Sequence, residues 1–320
     1  MGVNLLIDEI SRNLAQDYNE NSFYEYIKRA FDEYLVHLSK HKKEIETLLY
    51  NTKEFDGEKT YKRFASLIKK INACCLDILE KAYQGDILSA ALELDKLLTV
   101  QKYTSYKLMD MYVNYLNFEQ TSGGTFFRCV DFKDGDTPKS CGHVPYDKRY
   151  LVNKGRFNQL GFPCLYLSNS LECAQKEVGR KKSNKIRWYG KFVPKRDLLF
   201  MDFSIRMGGK IDSMSDYDKF SYLVTYPLRL LCLTKTKRES VAFTEEYIFS
   251  QLFLHILFIN HKNGKIPNYH GIRFTSLKDS RYLNFVVPAK YNSKQPKTSG
   301  VSEYIAVLFD EIEVEKVQGK

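Results

Sequence analysis

The spacing of apolar residues changes near residue 121, and this change limits the fold more than any other feature of the chain. Through residues 23–38 and 64–82, apolar side chains recur at steps of three and four, which is typical of amphipathic helices. The same spacing extends to 108–116 and predicts a bundle of about four or five helices. The glycine-containing segment 121–125 then predicts a domain boundary.

Beyond this segment, short strand-like stretches alternate with amphipathic helices. Strands are predicted over 126–132, 164–168, 188–193, 198–203, 271–274, 283–287 and 304–314. Helices are predicted over 171–180, 217–231 and 243–261. Because strands and helices interleave, we expect two domains, an all-α helical bundle over 1–120 and an α/β (α+β) domain over 121–320.

The charge of the chain is unevenly divided between these two parts. The net charge is +10, yet residues 1–120 carry 16 Lys and Arg against 19 Asp and Glu, while 121–320 carry 33 against 20. A basic second part suggests a partner that bears phosphate, such as a nucleotide or nucleic acid. The densest basic run, 179–196, leaves two interpretations open, a solvated loop and edge strand or an anion-facing patch.

The chain shows no sign of export, of a membrane span or of a metal site. Its start lacks a basic region before an apolar core, and its longest apolar-rich run, 247–259, is shorter than the about 20 residues that cross a bilayer. The seven cysteines are scattered, and Cys129, Cys141 and His143 lack the Cys-x-x-Cys spacing of structural zinc. We therefore expect a cytoplasmic protein with reduced thiols and no metal.

Four polar residues in the second part are candidates for chemistry. Arg156 lies in a predicted turn, and Glu177 lies on a predicted helix at the border between its polar and apolar faces, where a carboxylate can point into a cleft. Ser276 follows one predicted strand and Asn284 begins the next. Taken singly, each is better explained as an ordinary surface or turn residue.

Taken in order, these segments resemble the RES domain family, which is named for its Arg, Glu and Ser. Members have a strand with an Arg, a Gly-Arg-Phe/Trp-Asn turn, a Gly-x-Pro-x-Leu-Tyr-x-Ser/Ala strand and a helix with Ala and Glu. A Tyr-x-x-x-Gln helix start, a Gly-Ile-x-Tyr-x-Ser strand and an Asn follow. The matching residues here are Arg128, 155–158, 161–168, Ala174, Glu177, Tyr247, Gln251, Gly271, Ile272, Ser276 and Asn284. Phe274 replaces the family's usual tyrosine.

The resemblance implies a fold similar to that of diphtheria-toxin-like ADP-ribosyltransferases, with NAD⁺ as substrate and no resident cofactor. It implies Arg156, Glu177 and Ser276 as catalytic residues. An arginine fork suits the pyrophosphate of NAD⁺, and a fixed carboxylate suits the positive charge that builds on the ribose. The implied substrate-binding residues are Arg128, Asn158, Tyr166, Tyr247, Gln251 and Asn284.

The function implied is that of a toxin or phage-defence effector that cleaves NAD⁺ at the nicotinamide–ribose bond, by hydrolysis or phosphorolysis. One alternative is a mono-ADP-ribosyltransferase that acts on a macromolecule. Another is a catalytically inactive nucleic-acid-binding or scaffolding protein. The expected partners are NAD⁺, an antitoxin protein and a second copy of the chain; a nucleic acid partner is left open, and no membrane partner is expected.

The N-terminal helices are similar to the HEPN-related helical domain that some larger RES proteins carry. HEPN ribonucleases use an Arg and a His that lie four to six residues apart. Arg29 and His37 have seven residues between them, so the ribonuclease motif is missing. We expect the helical part to regulate or assemble the protein.

Overall fold

The computed structural model describes residues 2–53, 60–99, 108–116, 124–180, 184–237, 243–262, 269–290 and 302–317. Its helices are α1 Gly2–Arg12, α2 Phe23–Lys40, α3 Lys42–Thr52, α4 Thr60–Tyr83, α5 Ile87–Thr99, α6 Leu171–Val178, α7 Gly209–Asp212, α8 Asp216–Leu233, α9 Ile248–Lys262 and α10 Glu303–Leu308. Its strands are β1 Val113–Leu116, β2 Phe126–Lys133, β3 Cys164–Ser168, β4 Lys185–Pro194, β5 Leu198–Phe203, β6 Gly271–Thr275, β7 Leu283–Pro288 and β8 Phe309–Lys316.

The chain divides into two compact units, and neither is a single continuous segment. One, the helical unit, combines Met1–Tyr112 with Ile205–Pro267. The other, the sheet unit, combines Val113–Ser204 with Asn268–Lys320. This division differs from the predicted domains 1–120 and 121–320, because α7, α8 and α9 group with the N-terminal helices. The predicted boundary at 121 lies outside the described residues.

Buried polar contacts join the two segments of the helical unit. Tyr34 is fully buried, and its hydroxyl donates to the carbonyl oxygen of Leu223 at 2.6 Å. The hydroxyl of Tyr18 donates to the buried carboxylate of Glu246 at 2.8 Å. A buried donor left without an acceptor is costly, so these contacts fix α8 and the start of α9 to the N-terminal helices. Helix α8 is buried from Phe220 to Leu233 and has no solvent-exposed face there.

The sheet unit is built on one sheet in the order β1-β5-β6-β7-β3-β2-β4-β8. Strands β5 and β6 pair in parallel, and the other pairs are antiparallel. The prediction of a mixed α/β chain is thus confirmed, while the ADP-ribosyltransferase-like fold stays a prediction. The strands predicted over 164–168 and 198–203 have the same bounds in the structure.

Alternation of side chains gives the sheet two different faces. One face carries an apolar core that includes Phe126, Leu167 and Phe285. The residues between them point the opposite way, so Ser168 and Asn284, which are paired in the β3–β7 register, share the other face. Helix α6 packs against β2 and β3. Polar side chains therefore collect on the face away from the apolar core.

Two predicted elements are wrong in type. The helix predicted to reach 116 is a 3₁₀ turn at Leu108–Tyr112 followed by β1, because Val113–Leu116 pairs with β5, a long-range contact that local spacing does not reveal. The strand predicted over 304–314 begins as α10, and only Phe309–Lys316 is strand. Ile305 and Leu308 are both buried, and their three-residue spacing suits a helix.

His143 is buried in the sheet unit and is held as a neutral ring. Its Nε2 accepts the backbone N–H of Ser302 at 2.7 Å, so this nitrogen carries no hydrogen, and its Nδ1 donates to the carbonyl oxygen of Val144 at 2.8 Å. Burial lowers the pKa of His143 from its usual value of 6.5. The folded protein therefore resists protonation of this side chain.

We predict that the free energy of unfolding falls as the pH drops below about 6.5, because the unfolded chain then binds a proton that folded His143 does not. This one residue contributes a slope of at most about 1.4 kcal/mol per pH unit. The variant His143→Gln keeps an acceptor for Ser302 but cannot titrate, so urea unfolding should show a flatter pH dependence. Equal pH dependence of parent and variant between about pH 5 and pH 7.5 would contradict this assignment.

Candidate active site

Glu177 lies in the last turn of α6, on the polar side of the sheet. The helix begins after Ser170, whose side chain accepts the backbone N–H of Cys173, and ends at Gly179, which has a positive φ of 75°. Cys173 and Ala174 are buried and hold the helix to the sheet, while Glu177 itself is exposed. The structure thus places Glu177 on the predicted helix, next to its C-terminal end.

Two buried donors meet on one oxygen of this carboxylate. The hydroxyl of Ser276 donates to Oε1 of Glu177 at 2.6 Å, and Nδ2 of Asn284 donates to the same oxygen at 2.6 Å. Ser276 is 1% exposed and Asn284 is 5% exposed. Hydrogen bonds this short to an ionised acceptor are among the stronger ones in proteins, so the carboxylate has a fixed position.

The hydroxyl of Ser276 has its other bonding positions occupied. It accepts the backbone N–H of Lys278 at 3.2 Å and that of Asp279 at 3.1 Å. A hydroxyl has one hydrogen to donate and two lone pairs, so its hydrogen is directed at Glu177. Ser276 is therefore arranged to orient the carboxylate rather than to act as a nucleophile.

The amide of Asn284 is oriented by a residue that the sequence prediction missed. The thiol of Cys173 lies 3.8 Å from Oδ1 of Asn284, within reach of a weak S–H hydrogen bond. Burial raises the pKa of Cys173, so the thiol keeps its hydrogen. With Oδ1 facing this donor, Nδ2 faces Glu177. A lone cysteine on a helix gives no signal in the sequence for such a role.

The second oxygen of Glu177 is left open. Within the described ranges, Oε2 has no hydrogen bond, and the side chain is exposed. A carboxylate held through one oxygen and open at the other can stabilise a developing positive charge or orient an attacking group. The arrangement is thus suited to chemistry at a cationic centre.

A second cluster surrounds Tyr166, on the same face of the sheet. Its hydroxyl donates to Oδ1 of Asn158 at 2.8 Å and accepts the backbone N–H of Phe157 at 3.2 Å. Asn158 is 4% exposed and also donates to the carbonyl oxygen of Asn153 at 2.9 Å. A Cβ at Gly155 would lie 2.4 Å from Oδ1 of Asn158, so only glycine fits there.

This cluster fixes the turn that carries Arg156. Phe157 is 1% exposed, and its ring packs against Phe274 with centroids 5.0 Å apart. Arg156, its neighbour, is partly buried. The structure therefore places Arg156 in a rigid turn. It also shows that the side-chain amide of Asn158 forms hydrogen bonds that stabilise the turn. A role of Asn158 in binding substrate stays a prediction.

Arg128 lies apart from the hydrogen bonds of Glu177. It follows Phe127, the position at which β2 pairs with Ser168 of β3, and its Nη1 donates to the carbonyl oxygen of Cys164 at 3.2 Å. Burial lowers the pKa of its guanidinium. In the part of the chain that the structure describes, Arg128 forms no ion pair with a carboxylate, although the negative charge of Glu311 acts on it.

Tyr247 and Gln251 belong to the helical unit. Tyr247 ends a 3₁₀ turn at Glu245–Tyr247, and Gln251 lies in α9. Next to them, Glu246 is buried, accepts hydrogen bonds and anchors this helix start. A substrate-binding role of Tyr247 and Gln251 stays a prediction.

Acidic residues of β8 and β2 form ion pairs with several residues of the basic run 179–196. Lys191 lies 3.5 Å from Glu313, and Lys195 lies 3.2 Å from Asp310. Arg187 binds Asp131 of β2 at 2.7 Å. The run 179–196 contains no acid, but the β4–β8 pairing brings acids from more than 100 residues away. These contacts favour a solvated surface over an anion-facing patch, but the prediction of an edge strand is wrong, because β4 pairs with both β2 and β8. Lys181 and Lys182 lie outside the described residues.

The described ranges contain no group of three or more His, Cys, Asp or Glu side chains placed to hold a metal ion. In those ranges, too, every helix is too short or too polar to cross a bilayer.

Comparisons with known proteins find a sequence relative and a solved structure. No family model matches the chain. It is 25% identical over 311 residues, 89% of its length, to a protein described as "Putative toxin YopC" from Bacillus subtilis (strain 168), and the match spans 63% of that relative. A chain in the crystal structure of the M. tuberculosis MbcT–MbcA toxin–antitoxin complex matches 66% of this chain and 89% of its own length, with 12% identity and a TM-score of 0.35.

We predict that Asn284→Asp destabilises the protein increasingly as the pH rises above about 4, because two carboxylates in hydrogen-bonding contact resist joint ionisation. One of them then holds a proton that it loses on unfolding, so the free energy of unfolding falls with rising pH relative to the parent. Urea unfolding at about pH 4.5 and pH 7.5 measures the effect. Adding Glu177→Gln should remove it; a loss that persists in the double variant would show that the two side chains are not in contact.

Proposed function

We propose that this protein cleaves NAD⁺ at the bond between nicotinamide and ribose, with Glu177 as the catalytic carboxylate. The observation that supports this most is the convergence of Ser276 and Asn284 on Glu177 at 2.6 Å each. The RES resemblance implies a role for each of the three, and Glu177 lies 99 residues before Ser276 and 107 before Asn284 in the sequence. A decayed binding site would have no reason to keep three matched side chains in contact, which argues against the inactive alternative.

In the proposed reaction, the electron pair of the C1′–N1 bond moves to nicotinamide, which leaves as a neutral molecule. Positive charge builds on C1′ and the ring oxygen of the ribose, and the open Oε2 of Glu177 stabilises it. An acceptor oxygen then bonds to C1′: water releases a proton to solvent as it adds, whereas phosphate adds through an ionised oxygen and releases none. Ser276 and Asn284 hold the carboxylate, so little reorganisation is needed as the charge develops.

Arg128 and Arg156 supply positive charge for the pyrophosphate of NAD⁺. Arg128 is half-buried, donates one hydrogen bond to a carbonyl and has no carboxylate partner in the described ranges, so an anion would stabilise it. Arg156 lies in the turn fixed by Tyr166 and Asn158. We propose that both bind the pyrophosphate, and that the ring of Tyr166 stacks on nicotinamide.

The biological role that fits is a toxin or defence effector, since loss of NAD⁺ would harm the cell that contains the protein. The similarity to a protein described as a toxin supports this role. An antitoxin that restrains the activity is proposed with it. Transfer of ADP-ribose to a macromolecule would use the same bond cleavage, and the products distinguish the two.

The experiment that tests the proposal is incubation of the pure protein with NAD⁺, with and without inorganic phosphate, followed by identification of the products. Free nicotinamide with ADP-ribose indicates hydrolysis, and ADP-ribose 1″-phosphate indicates phosphorolysis. Nicotinamide released only when a macromolecular acceptor is added indicates transfer. Intact NAD⁺ without phosphate, with phosphate and with a macromolecular acceptor would contradict the proposal.

We predict that Glu177→Gln lowers the rate of NAD⁺ loss by about 10²–10³ while the protein stays folded, because the amide keeps the shape but not the charge. The matched control is Glu313→Gln, which makes the same change at a carboxylate bound by Tyr189 and Lys191 on β8. Parent-like turnover in the Glu177 variant would place the active site elsewhere.

We predict that Arg128→Lys and Arg156→Lys each weaken NAD⁺ binding about tenfold or more although the charge is kept. A lysine ammonium cannot reproduce the planar fork that binds two oxygens at once. Calorimetric titration with NAD⁺ measures the affinity, and Arg196→Lys at an exposed position of the same unit serves as the control. If the lysine variants bind as tightly as the control, neither arginine contacts the pyrophosphate.

A further inference from the structure

The position of Glu177 depends on a short helix. Helix α6 has eight residues, and helices of this length are marginal by themselves. Its N-terminal half is held by the Ser170 cap and by the burial of Cys173 and Ala174. Glu177 lies in the last turn, where a helix frays most easily, so this end needs an anchor of its own.

The turn between β6 and β7 supplies that anchor through the carboxylate of Asp279. Its Oδ2 accepts from Nζ of Lys176 at 2.7 Å and from Nη2 of Arg281 at 2.6 Å, and its Oδ1 accepts from Nε of Arg281 at 2.9 Å. The side chain is 9% exposed. The hydrogen bonds from Arg281 and Lys176 hold the pKa of Asp279 well below its usual value, so it stays ionised at neutral pH.

Glu172 extends these contacts along the same side of α6. It accepts from Lys176 at 2.6 Å, from Arg281 at 3.3 Å and from the hydroxyl of Tyr282 at 3.1 Å. We call Glu172, Lys176, Asp279, Arg281 and Tyr282 the α6 clamp. The clamp joins two residues of the helix to three residues of the turn.

Asp279 acts on both partners of the central hydrogen bond. Its backbone N–H donates to the hydroxyl of Ser276 at 3.1 Å, and its side chain binds Lys176, the residue before Glu177. Asp279 thus contacts the donor Ser276 directly and the acceptor Glu177 through its neighbour Lys176. Lys176 and Arg281 are exposed, and ion pairs of exposed side chains contribute little to folding stability, so we expect the clamp to act through the position of α6.

We propose that Asp279 is a positioning residue, which keeps α6 against the β6–β7 turn so that the carboxylate of Glu177 stays in contact with Ser276. The catalytic consequence of this inference rests on the function proposed above. A displacement of about 1 Å at a reacting group can cost about 10²-fold in rate, so partial loss of the clamp should be visible in turnover.

The test uses Asp279→Ala and, from the helix side, Lys176→Met, in the full chain. We expect kcat for NAD⁺ to fall about tenfold or more, with KM changed by less than about threefold because neither side chain is assigned to the substrate. Asp279→Glu should restore part of kcat. The control Asp310→Ala removes the carboxylate of an exposed pair with Lys195 and should keep parent kinetics. Parent-like kcat in both clamp variants would overturn the proposal.

A second measurement does not depend on activity. Nδ2 of Asn284 donates to Glu177, so the side-chain amide signals of asparagine-labelled protein report this contact by NMR. We expect the Asn284 signals to move in both clamp variants toward those of Glu177→Ala, and to stay in place in Asp310→Ala. Unchanged Asn284 signals in both clamp variants would overturn the positioning role whether or not the parent cleaves NAD⁺. Moved signals in a protein that leaves NAD⁺ intact would uphold the positioning role and reject the proposed function.

Discussion

The contact of two buried donors with Oε1 of Glu177 is the interaction on which the rest of the site depends. Ser276 and Asn284 are nearly inaccessible to water, so each needs a partner inside the protein. The carboxylate of Glu177 accepts a hydrogen bond from each donor, and these two bonds hold it at the surface with its other oxygen open. A flexible surface glutamate would lose much of its value as an electrostatic partner, because it would have to be oriented in every reaction cycle.

The architecture of the sheet unit brings the three residues of this contact together. Strands β6 and β7 are adjacent and antiparallel, so Ser276, which follows β6, and Asn284, the second residue of β7, come close together. The apolar core on the opposite face fixes the sheet, and α6 lies on the polar face with Glu177 at its end. Three separate segments therefore meet at one oxygen atom.

Local patterns predicted most of the strands because each one alternates or forms a continuous apolar run between turns. The resemblance predicted the contact residues because their order along the chain matched a family pattern. It could not reveal Cys173 or Asp279, whose roles come from contacts across the fold. A thiol facing an amide, or a turn residue bound to a helix, has no signature in spacing.

Errors arose where long-range contacts decide the structure. Strand β1 depends on pairing with β5, which no local window contains. Helix α8 is buried on all sides over most of its length, so its pattern does not show which unit it joins, and its contacts place it with the N-terminal helices. The acidic residues that form ion pairs with the basic run 179–196 lie mainly on β8, more than 100 residues later in the sequence.

The central claim is that a fixed carboxylate stabilises positive charge on the ribose as nicotinamide leaves. The most direct measurement is the secondary kinetic isotope effect on nicotinamide release from NAD⁺ that carries tritium at C1′ of the nicotinamide ribose. We expect a normal effect clearly above unity, because C1′ becomes trigonal as the bond breaks. Release with an effect near unity, or no release at all, would contradict the claim.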